Sequence, residues 1–275
     1  MVKAQKLTEN DGCPHARDYD DITQEFIATM IREYCAHLCV HAPMPNHAQE
    51  TSLLSASWAR ACQVTTVNLT CTPQLVKLIS TPSLLSTCMH LDFGTLYVTI
   101  QGSQVQGQLK SKLQPLVEAM YGFYSSQSKS TVKKNQALAE DLKEGMNFTF
   151  KVQFHCHGPS GIYITPLIQK IMNMMWFANK HDDGITFTNH FNPFPYPMLA
   201  LVLTAIECCI DEWATGTWMD IAFTIQEYQG IFELHLNCLW EFKEATKEFG
   251  VLPGICKKMY EVGWYVDILC TSHHS

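Results

Sequence analysis

Apolar residues recur at three- and four-residue spacing along most of this chain. From Asp21 the series Ile22, Phe26, Ile27, Met30, Ile31, Tyr34 and Leu38 follows an acidic start that suits the helix dipole. The spacing predicts an amphipathic helix that Pro43 ends. After the turn APMPN, Asn46 is placed to cap a second helix carrying Leu53, Leu54, Trp58 and Ala61, and Thr72-Pro73 opens a short third one through Leu75, Val76 and Ile79. There the pattern breaks. Residues 84–102 hold a single charge and read as extended or irregular, with β-favouring residues from Leu96 to Ile100.

Helical spacing resumes with Leu109, Leu113, Leu116, Val117, Met120, Tyr121 and Tyr124, a helix that Pro115 must either begin or kink. Residues 125–130 read as a linker and 132–142 as a shorter helix. Phe148, Phe150, Val152 and Phe154 then alternate with Thr149, Lys151 and Gln153 at the period of a strand. Thr165-Pro166 is an N-cap and first-turn pair for a helix with Leu167, Ile168, Ile171, Met172 and Met175 on one side. The segment 198–214 is apolar except for a stripe of Thr204, Glu207 and Asp211, with Gly216 placed for its C-terminal cap, so it belongs at the centre of a bundle. Finally Thr224-x-x-Glu227 is a capping box for a helix to Phe249, closed by Gly250. About eight helices predict a mainly α fold, a single multi-helix orthogonal bundle with a minor strand or hairpin element. Residues 1–19 and 251–275 are expected as tails around a helical domain over 20–250.

Length and composition change this picture little: 275 residues, 47% hydrophobic, are ample for a core without disulfides or metals. The net charge of −7 is uneven, being −3 over residues 1–102, +3 over 103–151 and −7 over 152–275. Only the middle stretch favours phosphate, and its Lys110, Lys112, Lys129, Lys133, Lys134, Lys143 and Lys151 are spread over nearly fifty residues. The first ten residues are polar and no cysteine pair has CxxC spacing among the 12 cysteines, which predicts reduced, intracellular thiols in the cytoplasm or nucleus. The longest apolar run, Met198–Ile210, rises only about 20 Å as a helix, short of the ~30 Å hydrocarbon core, so no membrane partner is expected.

The strings IYITPLIQKIMNMMWFANKHDDGITFTNHFNPFPYPMLALVLTAIECCIDEWATG and FTIQEYQGIFELHLNCLWEF resemble the fungal (basidiomycete) family called domain of unknown function 6532. APMPNHAQETSLLSASWARAC, LTCTPQLVKLI, QLKSKLQPLVEAMYGF and NQALAEDLKEGMNFTFK extend the resemblance over residues 20–250. The apolar helix ending in DEWATG is its most specific mark. The resemblance implies a helical fold and no mechanism, since the family carries no recognised catalytic or binding set. Against that pattern residues 84–102 look inserted, as a retained intron or a lineage-specific addition.

Chemistry-bearing clusters are few. Cys35, His37, Cys39 and His41 contain helical i, i+4 pairs, but match no zinc module. His155-Cys156-His157 alternates faces if it is a strand. His181, Asp182, Asp183 and His190 form a hard-metal set only if the fold gathers them, and Asp-Asp-Gly is otherwise a solvated turn. Glu207 and Asp211 lie one turn apart on an apolar helix, where burial raises a carboxyl toward useful acidity; pairing with a cation from another helix is the alternative. Asp211 and Glu212 sit near that helix's C-terminus, an unfavourable place for negative charge. His235, mid-helix among aromatic residues, reads as a hydrogen-bonded core residue. No catalytic, cofactor or metal residue is assigned, and GxGxxG, P-loop and GxSxG motifs are absent. The sequence favours a non-enzymatic helical protein-interaction domain, with self-association or a separate protein as partner. A metal-dependent or acid-base enzyme and a nucleic-acid accessory protein are the alternatives.

Overall fold

The computed structural model describes residue 7 and residues 19–45, 47–69, 95–151 and 160–272. Ten α-helices and one two-stranded antiparallel sheet form among them, a mainly α fold with the expected minor hairpin. The chain divides into two compact units, Met1–Gln104 and Val105–Ser275. None of the helices searched is long and apolar enough to cross a membrane.

In the first unit, α1 (Asp21–His41) and α2 (His47–Thr65) pack as a helical pair. The Asp20 carboxylate starts α1 by accepting from the Thr23 amide at 2.9 Å. Phe26, Met30, Tyr34 and Leu38 of α1, at the spacing read from the sequence, bury against Ala61 and Leu69. Trp58 meets Phe26 edge-on, with ring centroids 4.8 Å apart. The Asn46 cap, the helix expected at 72–79 and residues 84–94 lie outside the described residues, as does nearly all of the expected N-terminal tail.

Helix α3 (Thr95–Tyr121) corrects the reading of its own first turns. The β-favouring residues from Leu96 to Ile100 are helical, because strand propensity is a weak preference and this segment continues a helix that buries Leu109, Leu113, Leu116 and Val117. Pro115 lies inside α3 on an exposed position rather than at its start.

In the second unit α4 (Lys129–Lys143) is capped by Ser128, whose hydroxyl accepts from the Thr131 amide. The expected strand over 148–154 shrinks to β1 (Phe150–Lys151), paired with β2 (Ser160–Ile162) through Phe150 and Ile162. Phe148 and Thr149 end a 3-10 turn instead, in which Gly145 and Met146 take positive φ of 56° and 58° and the Asn147 amide donates to the Asp141 carbonyl. Residues 152–159 lie outside the described residues. Helix α5 (Pro166–Trp176) is capped by Thr165, as its sequence predicts. Two single turns, α6 (Asp183–Thr186) and α7 (Thr188–Phe191), lead to the central helix α8 (Tyr196–Asp211).

From Met198 to Ile210 every residue of α8 except Glu207 is buried, and each large side chain so buried contributes about 1.5–3 kcal/mol relative to exposure. Helix α9 (Ile225–Ala245) lays Tyr228, Phe232, His235 and Leu239 against α8. Its cap is the expected Thr224 hydroxyl, which accepts from the Glu227 amide at 3.3 Å. The stretch from 251, expected as a tail, is helical as α10 (Val251–Ser272) and buries Leu252, Cys256, Met259 and Tyr260, at the period of an amphipathic helix.

Gly216 is held by two constraints at once. Its φ is +83°, and a Cβ there would stand 2.3 Å from the Val132 carbonyl oxygen of α4. Gly250, at φ +56° after α9, has open space around it. Gly216→Ala is therefore expected to cost about 2–4 kcal/mol, from left-handed strain plus overpacking. Gly250→Ala is expected to cost only about 1 kcal/mol. Urea unfolding of the two variants reads the difference directly.

Candidate functional site

Helix α8 ends in three acidic groups, Glu207, Asp211 and Glu212, at the end where the helix dipole disfavours negative charge. The fold answers with cations and donors from three other helices. Lys143, in the last turn of α4, pairs with Asp211 at 2.5 Å and with Glu207 at 3.5 Å. His235 Nε2 lies 2.8 Å from the second oxygen of Glu207. The Tyr228 hydroxyl donates to Asp211 Oδ2 at 3.2 Å.

Glu212 is the most deeply buried of the three, at 1% exposure. Its Oε1 lies 2.8 Å from the Lys110 ammonium, and the Gln114 side-chain amide donates to it at 2.9 Å. The Trp218 indole N–H donates to Oε2 at 3.2 Å, and the backbone amide of Ile221 donates to Oε1 at 3.4 Å. Lys110 also pairs with Asp220 at 2.6 Å and donates to the Ile221 carbonyl. One buried carboxylate thus organises the loop from 212 to 224. The loop is fastened further by Trp213, stacked on Phe123 with centroids 5.0 Å apart, and by the Asn135 and Gln136 amides, which donate to the carbonyls of Gly216 and Thr215.

The electrostatics oppose proton exchange. Burial pushes Glu207 upward, but the hydrogen bond and charge of His235 together with Lys143 outweigh it and hold the carboxyl below its ordinary value of 4.5. That reverses the expectation that burial would raise a carboxyl here. Burial lowers the lysines, yet Asp220 and Glu212 around Lys110, and Asp211 and Glu207 around Lys143, outweigh it and raise both above 10.5. Burial raises Tyr228, with Cys208 and Asp211 adding to it, and pushes the Cys208 thiol up to about 11. These groups are fixed in one protonation state across the neutral range, the opposite of what acid-base catalysis requires.

His235 is the expected core histidine. It is 1% exposed, stands edge-on to Phe148 with centroids 5.8 Å apart, and its Nδ1 has no hydrogen-bond partner among the described residues.

The other sequence candidates are placed as follows. His181, Asp182, Asp183 and His190 do not converge: no three of their ligand atoms lie within 4.8 Å of one another. Asp182 accepts from the amides of Ala178 and Asn179 and from the Asn179 side chain, which is the solvated-turn role. In α1, His37 lies 3.8 Å from Glu33 and its ring centroid 5.5 Å from that of His41. His155, Cys156 and His157 lie outside the described residues. Of the seven lysines, Lys110 and Lys143 are taken by carboxylates and Lys112 donates to the Met174 carbonyl. The sequence reading missed Lys110, Lys143 and Tyr228 as partners of the α8 acids. The misplaced negative charge at the helix end was the one signal that such partners exist.

Beside Asp211 the surface dips into an open groove of about 440 Å³. It is lined by Asp211, Ile221, Ala222, Glu227, Tyr228 and Ile231. On the same loop Trp218 and Met219 stand 50% and 52% exposed.

The fold and this site define a helical domain built round a buried acid at the end of an apolar helix. The chain belongs to the family described as domain of unknown function 6532, which matches residues 29–242. No curated protein and no solved structure matches it.

The ion pairs set a pH window. A group held below its unfolded value contributes stability above that value and loses it as pH falls, so Glu207 supports the fold above about 4.5 and stops doing so as acid protonates it in the folded state. Lys110 and Lys143, raised above 10.5, support it below that pH and fail as pH rises through their folded values. Urea midpoints measured across pH are expected to form a plateau between these limits. Glu207→Gln is expected to lower the plateau and to flatten its acid edge.

Proposed function

We propose that this chain is a non-enzymatic, intracellular protein-interaction domain of a fungal family, with the loop from 217 to 223 as its contact surface. The observation that carries this reading is the pairing of exposure with anchorage. Trp218 and Met219 leave about half of their surface in water. Meanwhile the Met219 amide donates to the Glu212 carbonyl at 2.8 Å and the Trp218 indole to the Glu212 side chain. Large apolar side chains held outward by a preorganised backbone suit an interface, because little conformational freedom is lost when a partner covers them.

The ion-pair network supports the non-enzymatic part, since its pairings hold the Glu207 carboxyl below, and the Lys110 and Lys143 ammoniums and the Tyr228 phenol above, their ordinary values, away from neutrality. The buried free thiols Cys208, Cys209 and Cys256 support a reducing compartment. The fungal setting rests on the sequence strings that end in DEWATG.

A photo-crosslinking amino acid at position 219 tests the reading in cells that express the chain, with the same probe at exposed Lys133 as the comparison. A discrete adduct is expected from 219 and none of equal strength from 133. Met219→Ser beside a probe at 218 is expected to abolish the adduct, while changing stability by no more than about 0.5 kcal/mol, as exposed substitutions do. Equal labelling from both positions would contradict the reading.

A further inference from the structure

Resting on the interface reading above, we infer that the groove beside the loop takes a basic, apolar segment of a partner protein, with a lysine or arginine against its acidic lining and an aliphatic side chain against its apolar lining. Its apolar lining is Ile221 and Ala222 from the loop and Ile231 from α9. Its acidic lining is Asp211 and Glu227.

Charge selects the occupant. Of the residues lining the groove Asp211 and Glu227 are acidic and none is basic, and the ammonium that meets Asp211, on Lys143, is shared with Glu207. The surplus is negative, as it is for the whole stretch 152–275, which holds 13 acidic against 6 basic residues. An anionic ligand is disfavoured twice over. It meets that surplus, and the one hydroxyl lining the groove, on Tyr228, already donates to Asp211. A cationic side chain instead meets Glu227, which is exposed in the first turn of α9. The apolar lining adds what charge alone does not supply, a place for an anchor that excludes water.

Trp218 and Met219 belong to the same loop as Ile221 and Ala222, so one segment reaching from the groove to these two side chains would cover both. The surface thus asks for an amphipathic partner with alternating aliphatic and basic positions, of the kind that lays a helix in a groove.

The test is fluorescence anisotropy with the full chain and a labelled fourteen-residue peptide of leucine and lysine at helical spacing, set against its leucine–glutamate counterpart. The leucine–lysine peptide is expected to bind, and the leucine–glutamate peptide not to bind. Glu227→Lys, which reverses a charge in the lining, and Ala222→Trp, which fills the groove from an exposed position, are each expected to weaken binding at least tenfold. Glu241→Lys, an identical charge change farther along α9, is expected to alter it less than twofold. Circular dichroism confirms that each variant is folded. Equal weakening by Glu227→Lys and Glu241→Lys would show bulk attraction and overturn the inference, as would unchanged binding in Ala222→Trp or preference for the acidic peptide. If position 219 crosslinks a discrete partner while neither peptide binds, the interface stands and its basic, apolar occupant falls. A 219 adduct that is a second copy, with sedimentation that changes with protein concentration, would likewise overturn the separate partner.

Discussion

A carboxylate at the end of an almost wholly apolar helix has to be neutralised or the helix cannot be buried. Glu212 occupies that position one residue after α8, where unsatisfied carbonyls already concentrate negative charge. Burial at 1% exposure removes water as a partner. What remains is to bring donors from the protein, and the second unit does so from α3, through Lys110 and Gln114, and from the following loop, through Trp218 and Ile221. The course of the loop follows from the carboxylate. Its indole and its amide must face inward at fixed points, and the residues between them are thereby displayed outward.

The two carboxylates within α8 itself obey the same constraint by different means. Glu207 and Asp211 share Lys143, and each takes one more partner from α9, His235 for the first and Tyr228 for the second. The interactions tie α4, α8 and α9 together at one end. They also consume the groups that a catalytic site would need free. The acids therefore serve the fold, and they hold in place the surface proposed above for binding. The groove lies where this polar end meets solvent, acidic in its lining because the carboxylates outnumber their cations.

Much of this was legible in the sequence where local rules act alone. The caps at Thr165 and Thr224 formed as read, because a hydroxyl that satisfies a first-turn amide needs no distant partner. The apolar run at 198–210 announced a central helix. Reading failed where distant parts decide. Leu96 to Ile100 looked extended by composition, yet their helical state depends on the turns that follow. Phe148 alternated with its neighbours as a strand does, but Gly145 and Met146 turn the chain before a strand can run. The stretch from 251 lacked a start signal beyond Gly250 and is nonetheless an amphipathic helix. At the site, the sequence identified Glu207 and Asp211 as a pair and offered cation pairing as one of two fates. It gave no means of choosing Lys143, 64 or more residues away, or of seeing that Lys110 reaches Glu212 across 102 positions. Such partners are set by packing, and only the misplaced charge hinted at them.

The central claim is that Glu212 holds the loop, and site-resolved amide hydrogen exchange tests it most directly. In the native chain the amides of Gly216, Met219 and Ile221 are expected to be protected about as strongly as those in the middle of α9. In Lys110→Met, which leaves Glu212 buried without its ammonium, all three are expected to lose protection together while α9 keeps its own. Exchange of these amides at unprotected rates in the native chain, or unchanged protection in the variant, would contradict the account.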